Sequence, residues 1–436
     1  MKARSRIPAG VIDSGLASLA TFGVGLFAIH SFDPALLGGY ALAFAAFNLL
    51  VILPRELVFV PAEIAAVTYA SEARLSLIGR TLSLGLLPAL AAAVMVSFWS
   101  LAAPADIPTT AIFPLTVTTA ICTFLSPVQD HLRRMLHIGE RSWLATAISV
   151  IQVAMTALAV VVAVRLEVPA AWIPFGALAV ANLVSLAVGG AMLGLSARSE
   201  PPDAPALQLS ALVISGKWLL VGGLLGPASV FVASVLVTHL AGAEALGFAE
   251  AARVISRPLP VLAAGISAVL RPLSIEAAQK KQLPIARHAS RLYLKLMGAC
   301  GLLYLLVAGA DVPWNPLAAI LPNGYMISGL AAATIIAETF SVLLFPYRYE
   351  LLGGDRVVAL TVIEGVGAFF RCVVTAIIAG MVASFAMPLG LMIMTVARGF
   401  GFHMKLRGLY EPESERPRPD EEAVHPVSGD ATLVRG

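Results

Sequence analysis

Gly242–Pro272 reads GAEALGFAEAARVISRPLPVLAAGISAVLRP. The stretch is apolar enough to cross a bilayer, yet it carries Glu250, Arg253 and Arg257 where hydrocarbon would surround them. Spaced three and four residues apart, these three share one face of a helix. Counted inward from Ala245, Arg253 lies about 12 Å and Arg257 about 18 Å deep at the helical rise, too deep for easy snorkelling. An arginine at mid-bilayer costs about 2.5–3.5 kcal/mol on insertion scales, so such residues face a bundle interior or a watery cavity. Pro258 and Pro260 follow at once and remove backbone donors. The stretch therefore predicts a broken membrane helix whose arginines hold something anionic. A plainer reading stands beside it, in which Glu250 neutralises Arg253 and Arg257 caps backbone freed by the prolines.

Composition points the same way. The chain is 58% hydrophobic and 13% charged, with mean hydropathy +0.87. Soluble domains run at about 45–50% apolar and about 25% charged, so this chain belongs in lipid. Met1–Arg6 is basic, but the apolar run after it is too long for a cleaved signal and lacks a small-residue cleavage site. Cys122, Cys300 and Cys372 fall far apart inside apolar runs, with no CxxC or Cys/His spacing. Disulfides and zinc are not expected.

Apolar runs of about 20 residues read as membrane spans. Six lie near 11–31, 37–61, 80–102, 108–128, 143–164 and 171–195, and six more near 217–241, 245–271, 291–310, 316–345, 357–380 and 384–403. The basic residues fall in alternate connections. Arg74 and Arg80, Arg133, Arg134 and Arg141, Arg198 and Lys217, the cluster Lys280–Lys295, Arg348 and Arg356, and Lys405 and Arg407 all share one side with Lys2, Arg4 and Arg6. The opposite connections hold only Arg165, beside Glu167. The positive-inside rule then puts both termini in the cytoplasm. A wrong span count would break that alternation.

The two halves also repeat. Gly38-Gly39-Tyr40-Ala41 resembles Leu246-Gly247-Phe248-Ala249, Pro61-Ala62-Glu63-Ile64-Ala65-Ala66 resembles Pro272-Leu273-Ser274-Ile275-Glu276-Ala277-Ala278, and Leu136–Arg141 resembles Leu351–Arg356. The offsets of 208, 211 and 215 drift slowly, as one duplication with small insertions would leave them. Six spans per half give the copies the same membrane orientation, with a substrate path between the lobes. The expected organisation is a six-helix lobe over 1–196, a cytoplasmic linker over 197–215, a second six-helix lobe over 216–404, and a disordered cytoplasmic tail over 405–436.

On LGFAEAARVISRPLPVLAAGISAVLRPLSIEAA and QDHLRRMLHIGERSWLA, the chain resembles the multidrug/oligosaccharidyl-lipid/polysaccharide (MOP) exporter superfamily, specifically its polysaccharide-biosynthesis, O-antigen flippase-like branch. The resemblance covers about residues 8–404. It implies an all-α, MOP/MATE-like fold of two six-helix lobes around a V-shaped cavity, in a bacterial plasma membrane. It also implies alternating access for a lipid-linked saccharide, with membrane lipids and other polysaccharide-assembly proteins as partners.

Several intramembrane residues could serve that task. A diphosphate carrier needs donors that never deprotonate and that fork onto phosphate oxygens, which suits Arg253 and Arg257. Glu364 and Arg371, seven residues apart, share a helical face and could bind substrate. Glu364 could instead couple a proton or sodium ion, or pair with Arg55 across helices. Arg55, just after Pro54, is a further substrate-binding candidate, although snorkelling explains Arg55-Glu56 as well. Glu338 is a second ion-coupling candidate. Asp13 reads as an interfacial or gating residue, His30 and His239 as interfacial, and Asn48, Gln152 and Asn182 as polar glue between helices. The cluster Lys280–Lys295 could attract anionic headgroups or dock a pyrophosphate on its way to the cavity.

Other classes lack support in the residues. There is no GxxxxGK[ST], HExxH or GxSxG motif, so neither an enzyme nor a cofactor is expected. No basic fold suggests nucleic acid as a partner. An ion-coupled multidrug-type exporter of the same superfamily remains open, as does a non-transporting scaffold of a polysaccharide-synthesis complex. A twelve-span major-facilitator carrier would place its basic motif near SEARLSLIGR, which matches poorly.

Overall fold

A computed structural model describes residues 6–67, 71–194, 208–309, 315 and 320–410 of the chain. The described residues form twelve helical spans and contain no strand. In chain order they are α1 (Pro8–Ser31), α2 (Pro34–Val67), α3 (Arg74–Ala102), α4 (Thr109–Ile138), α5 (Ser142–Arg165), α6 (Ala170–Leu193) and α7 (Leu209–Ala241). The helix α8 comes in two parts, Ala243–Ser256 and Pro258–Gln279. It is followed by α9 (Leu283–Gly309), α10 (Leu330–Gly353), α11 (Val357–Ala379) and α12 (Ala383–Tyr410). Eleven of these are long and apolar enough to cross a membrane by composition alone. The twelfth, α8, is interrupted at Arg257 and carries the deep charges.

Local chemistry sets the ends and breaks. Asp33 caps α2, its carboxylate accepting from the Leu36 amide at 2.8 Å, with Pro34 at the first helical position. Gly194 closes α6 in the left-handed conformation at φ +60°. Pro54 is followed by a π-turn over Arg55–Phe59 in α2, and Pro258 follows the break in α8. The two matched helices of the repeat are therefore both irregular in mid-course.

The lobes pack alike. In the first half α1 packs on α5, α5 on α6, α3 on α4, and α4 on α6. The same pairs recur as α7 on α11, α11 on α12, α9 on α10, and α10 on α12. The seam between lobes is α2 against α7 and α8. Large apolar side chains such as Leu101, Phe113, Trp218 and Phe369 stand exposed on the outer surface. In water such a surface would drive association, whereas acyl chains accept it.

On the side away from the basic loops, α2 and α8 cross in near-backbone contact. A Cβ on Gly38 would lie 2.0 Å from the Ala243 carbonyl oxygen, and one on Gly247 would lie 2.0 Å from that of Pro34. Asp106 accepts from the Ala243 amide at 2.7 Å, and the Tyr325 hydroxyl donates to the Phe32 carbonyl at 2.7 Å. The outer ends of the lobes are thus held shut.

Two expected spans need correction. The span near 108–128 runs on as α4 to Ile138, because Gln129, His131 and Arg133 are buried among polar partners rather than looped into water. The span near 316–345 starts only at Leu330, after a turn through Pro322, Gly324 and Gly329, the last at φ +76°. Residues 197–207 of the expected linker and 411–436 of the expected tail lie outside the described residues, as do Lys2, Arg4 and Arg198, whereas 209–215 of that linker already belong to α7 and 405–410 of that tail still belong to α12.

Candidate functional site

The charges that break α8 form one compact cluster at the seam. Glu250 is 3% exposed and accepts two parallel bonds from Arg253, Nε to Oε2 at 2.6 Å and Nη2 to Oε1 at 2.9 Å. Arg257, seven residues on from Glu250, donates Nη2 to the same Oε1 at 3.0 Å. Its Nη1 reaches across the seam to the Thr21 carbonyl of α1 at 2.9 Å. Gly25 leaves room for that reach, since a Cβ there would sit 2.9 Å from Arg257 Nη1. Both guanidiniums lie over the Phe44 ring of α2, at 5.4 Å for Arg253 and 4.9 Å for Arg257. Two lobes are thereby tied by one carboxylate and two arginines.

A cavity of about 30 Å³ lies beside this cluster, between α2, α7, α8, α10, α11 and α12. It has room for one or two waters. Glu250, Arg253, Glu338 and Arg371 supply its charges, with Ser234 and Thr334 among the other polar walls. Arg253 keeps 28% of its side chain accessible there despite its bond to Glu250. Arg371 is buried, and its Nε has no hydrogen-bond acceptor among the described residues. Together with Arg257, three guanidiniums stand against two carboxylates, which leaves the seam one positive charge in excess.

The remaining candidates are placed differently. Arg257 does not line the cavity, being held by Glu250 and Thr21. Glu364 also lies off it and is paired with Arg398 of α12 at 2.8 Å, not with Arg55. The Arg398 partner escaped the sequence reading, although an arginine inside the span at 384–403 was a visible signal of the same kind as Arg253. Arg55 stays apart, its side chain 48% exposed and 3.3 Å from Glu56. Arg55→Ala is therefore expected to change stability by less than about 1 kcal/mol in thermal unfolding of the purified protein. A larger loss would mean that Arg55 has a partner across the lobes.

Asp13 is buried between helices near the basic-side end of α1 rather than exposed at its surface. It is 4% exposed, accepts a bond from Ser149 of α5, and lies 3.1 Å from His137 and 3.9 Å from Arg133 of α4. Nearby, His131 meets Glu63 at 3.0 Å and Thr81 at 2.8 Å while stacking on Phe59. These contacts pin the basic-side ends of the first lobe together. Gln152 donates to Asn182 at 2.6 Å and Asn182 to Ser126 at 2.8 Å, joining α5, α6 and α4 as polar glue. Among the described residues no group of three or more His, Cys, Asp or Glu is arranged to hold a metal ion.

No protein-family model matches the chain, and a search of curated proteins finds no match. Solved structures do share its fold. A multidrug resistance MATE family transporter of the MOP superfamily in an inward-facing conformation superposes with a TM-score of 0.71 at 14% identity, covering 91% of this chain and 95% of that one. An outward-facing structure of a transporter so described gives 0.63 at 14% identity, over 94% and 96%. A MOP superfamily transporter from Pyrococcus furiosus, described as having a binding pocket of reversed polarity, gives 0.65 at 14% identity over 94% and 96%. The chain has the MATE-like fold.

Proposed function

We propose that this protein is a secondary transporter of the bacterial plasma membrane that moves a lipid-linked oligosaccharide or polysaccharide precursor by alternating access. The observation that supports this reading is the convergence of Arg253 and Arg371 on one interlobe cavity, at a seam that carries one positive charge in excess once Arg257 beside it is counted. A carrier of a polyprenyl diphosphate needs donors that stay charged at low dielectric, and guanidinium does so while forking onto phosphate oxygens. A cavity this small must widen to admit a headgroup, so carriage requires the lobes to part along α2 and α8. The sequence contains no phosphate-binding P-loop, so the driving force is an ion or substrate gradient rather than ATP. Glu338 is the better candidate for ion coupling because it lines the cavity, whereas Glu364 is occupied by Arg398. Other polysaccharide-assembly proteins are the natural neighbours of such a carrier.

Glu338 also favours a second reading, an ion-coupled exporter of small organic cations. The two readings separate in proteoliposomes given a fluorescent polyprenyl-diphosphate sugar. Arg253→Gln and Arg371→Gln are each expected to slow its transfer about tenfold, the worth of one lost charge-assisted contact of about 1.5 kcal/mol. Unchanged transfer in the double variant would overturn the assignment. Export of a cationic dye that depends on Glu338 and not on either arginine would assign the protein to the second reading.

A further inference from the structure

A second, larger cavity opens inside the second lobe, away from the seam. It measures about 970 Å³ and lies between the basic-side ends of α9, α10 and α12, near the upper end of the about 300–1,000 Å³ typical of small-molecule sites. Arg287 and Arg291 of α9 and Arg407 of α12 line it. None of the three has an ion pair among the described residues. On the α10 wall Glu350 is 5% exposed and fully engaged, accepting from Ser290 at 2.6 Å and from Tyr410 at 3.0 Å. It ties the walls together without reaching the arginines. Three guanidiniums thus face one carboxylate that is already bonded.

The fold itself does not require this space. The first lobe pairs α3 with α4 and α4 with α6 just as the second pairs α9 with α10 and α10 with α12. There the equivalent volume is filled by a dry cluster that includes Leu75, Ile78, Leu132, Met135 and Leu193. The repeat that aligns Leu136 with Leu351 puts Met135 where Glu350 stands. Between these three helices one copy of the duplicated lobe packs shut with apolar side chains, and the other is hollowed and lined by charge.

The polarity is ordered along depth. On α9 the arginines precede Leu294, on α12 Arg407 lies nearer the helix end than Phe402, and on α10 Glu350 lies nearer the end than Leu344. Charge sits toward the cytoplasmic surface and apolar wall toward the bilayer interior. A free anion would gain nothing from that apolar floor, whereas a lipid uses both ends.

We propose that this cavity binds one anionic phospholipid of the cytoplasmic leaflet, its phosphate held by Arg287, Arg291 and Arg407 and its acyl chain against Leu294 and Phe402. The inference does not rest on what crosses the seam.

Native mass spectrometry of the full chain in detergent, titrated with phosphatidylglycerol or phosphatidylcholine, tests it. One phosphatidylglycerol is expected to be retained at least tenfold better than phosphatidylcholine, and the preference is expected to vanish in Arg287→Gln/Arg291→Gln/Arg407→Gln. Leu294→Trp, which fills the apolar floor and keeps every arginine, is expected to weaken retention by a similar factor. Both variants change side chains at the cavity rim or wall, and an unaltered gel-filtration profile checks their folding. Equal retention of the two lipids, retention unchanged in the triple variant, or retention unaffected by Leu294→Trp would each overturn the proposal. Displacement of the lipid by millimolar inorganic phosphate would assign the site to free phosphate and overturn it too.

Discussion

Glu250→Ala is expected to destabilise the protein by about 3–5 kcal/mol, the usual cost of leaving a buried charge without its partner. Glu250 is the single carboxylate shared by Arg253 and Arg257, so its loss strands two guanidiniums at once. Arg253→Ala or Arg257→Ala should cost less, because each leaves a balanced pair behind. The double change Glu250→Ala/Arg257→Ala should recover part of the loss, since only Arg253 then lacks a neutralising neighbour on its own helix. Thermal unfolding followed by intrinsic fluorescence in detergent ranks these variants. The seam described above would be wrong if Glu250→Ala proved milder than either arginine variant.

Gly247→Val should open the outer ends of the lobes. The new side chain would collide with the Pro34 carbonyl, a backbone group that no rotamer change can move aside. Overpacking of this kind costs about 1–3 kcal/mol, which shifts a two-state equilibrium by roughly 5–150-fold. Within each lobe the helices keep their partners, so relief comes from separating α2 and α8. Spin labels at Ser31 and Glu244, both exposed beside the crossing, should report a longer distance in the Gly247→Val protein. An unchanged distance with normal folding would show that the crossing does not set the state of the lobes. Asp106→Ala removes only one hydrogen bond to the Ala243 amide and should shift the same distance distribution less.

Much of the site was legible in parts. Glu250, Arg253 and Arg257 announce themselves because charge in an apolar run is costly wherever the run is buried. Their spacing fixes a common helical face, and the structure joins them as that spacing requires. Which of the two arginines stays available was not legible. It depends on a gap left by Gly25 and on the Thr21 carbonyl, both on α1, more than two hundred residues away in sequence. Asp13 shows the same limit. Near the start of an apolar span its partners cannot be read, and only the packing of α4 and α5 around it makes it buried. Glu364, for which Arg55 was one possible partner, pairs with Arg398, because partners are chosen by which helices adjoin, and α11 adjoins α12.

By itself the sequence determined that the chain spans a membrane, how many times, which ends share a side, and that the halves are copies. Each of these follows from a local or periodic property: run length against bilayer thickness, placement of Lys and Arg, and offsets between matching segments. Tertiary structure alone decided the rest. It closed the outer seam through Gly38 and Gly247, retired Arg257 from the cavity while leaving Arg253 and Arg371 facing it, and packed apolar side chains between α3, α4 and α6 while hollowing the matching space between α9, α10 and α12. Those outcomes depend on distances between residues remote in the chain, and an ion pair or a cavity exists only once both sides have been brought together.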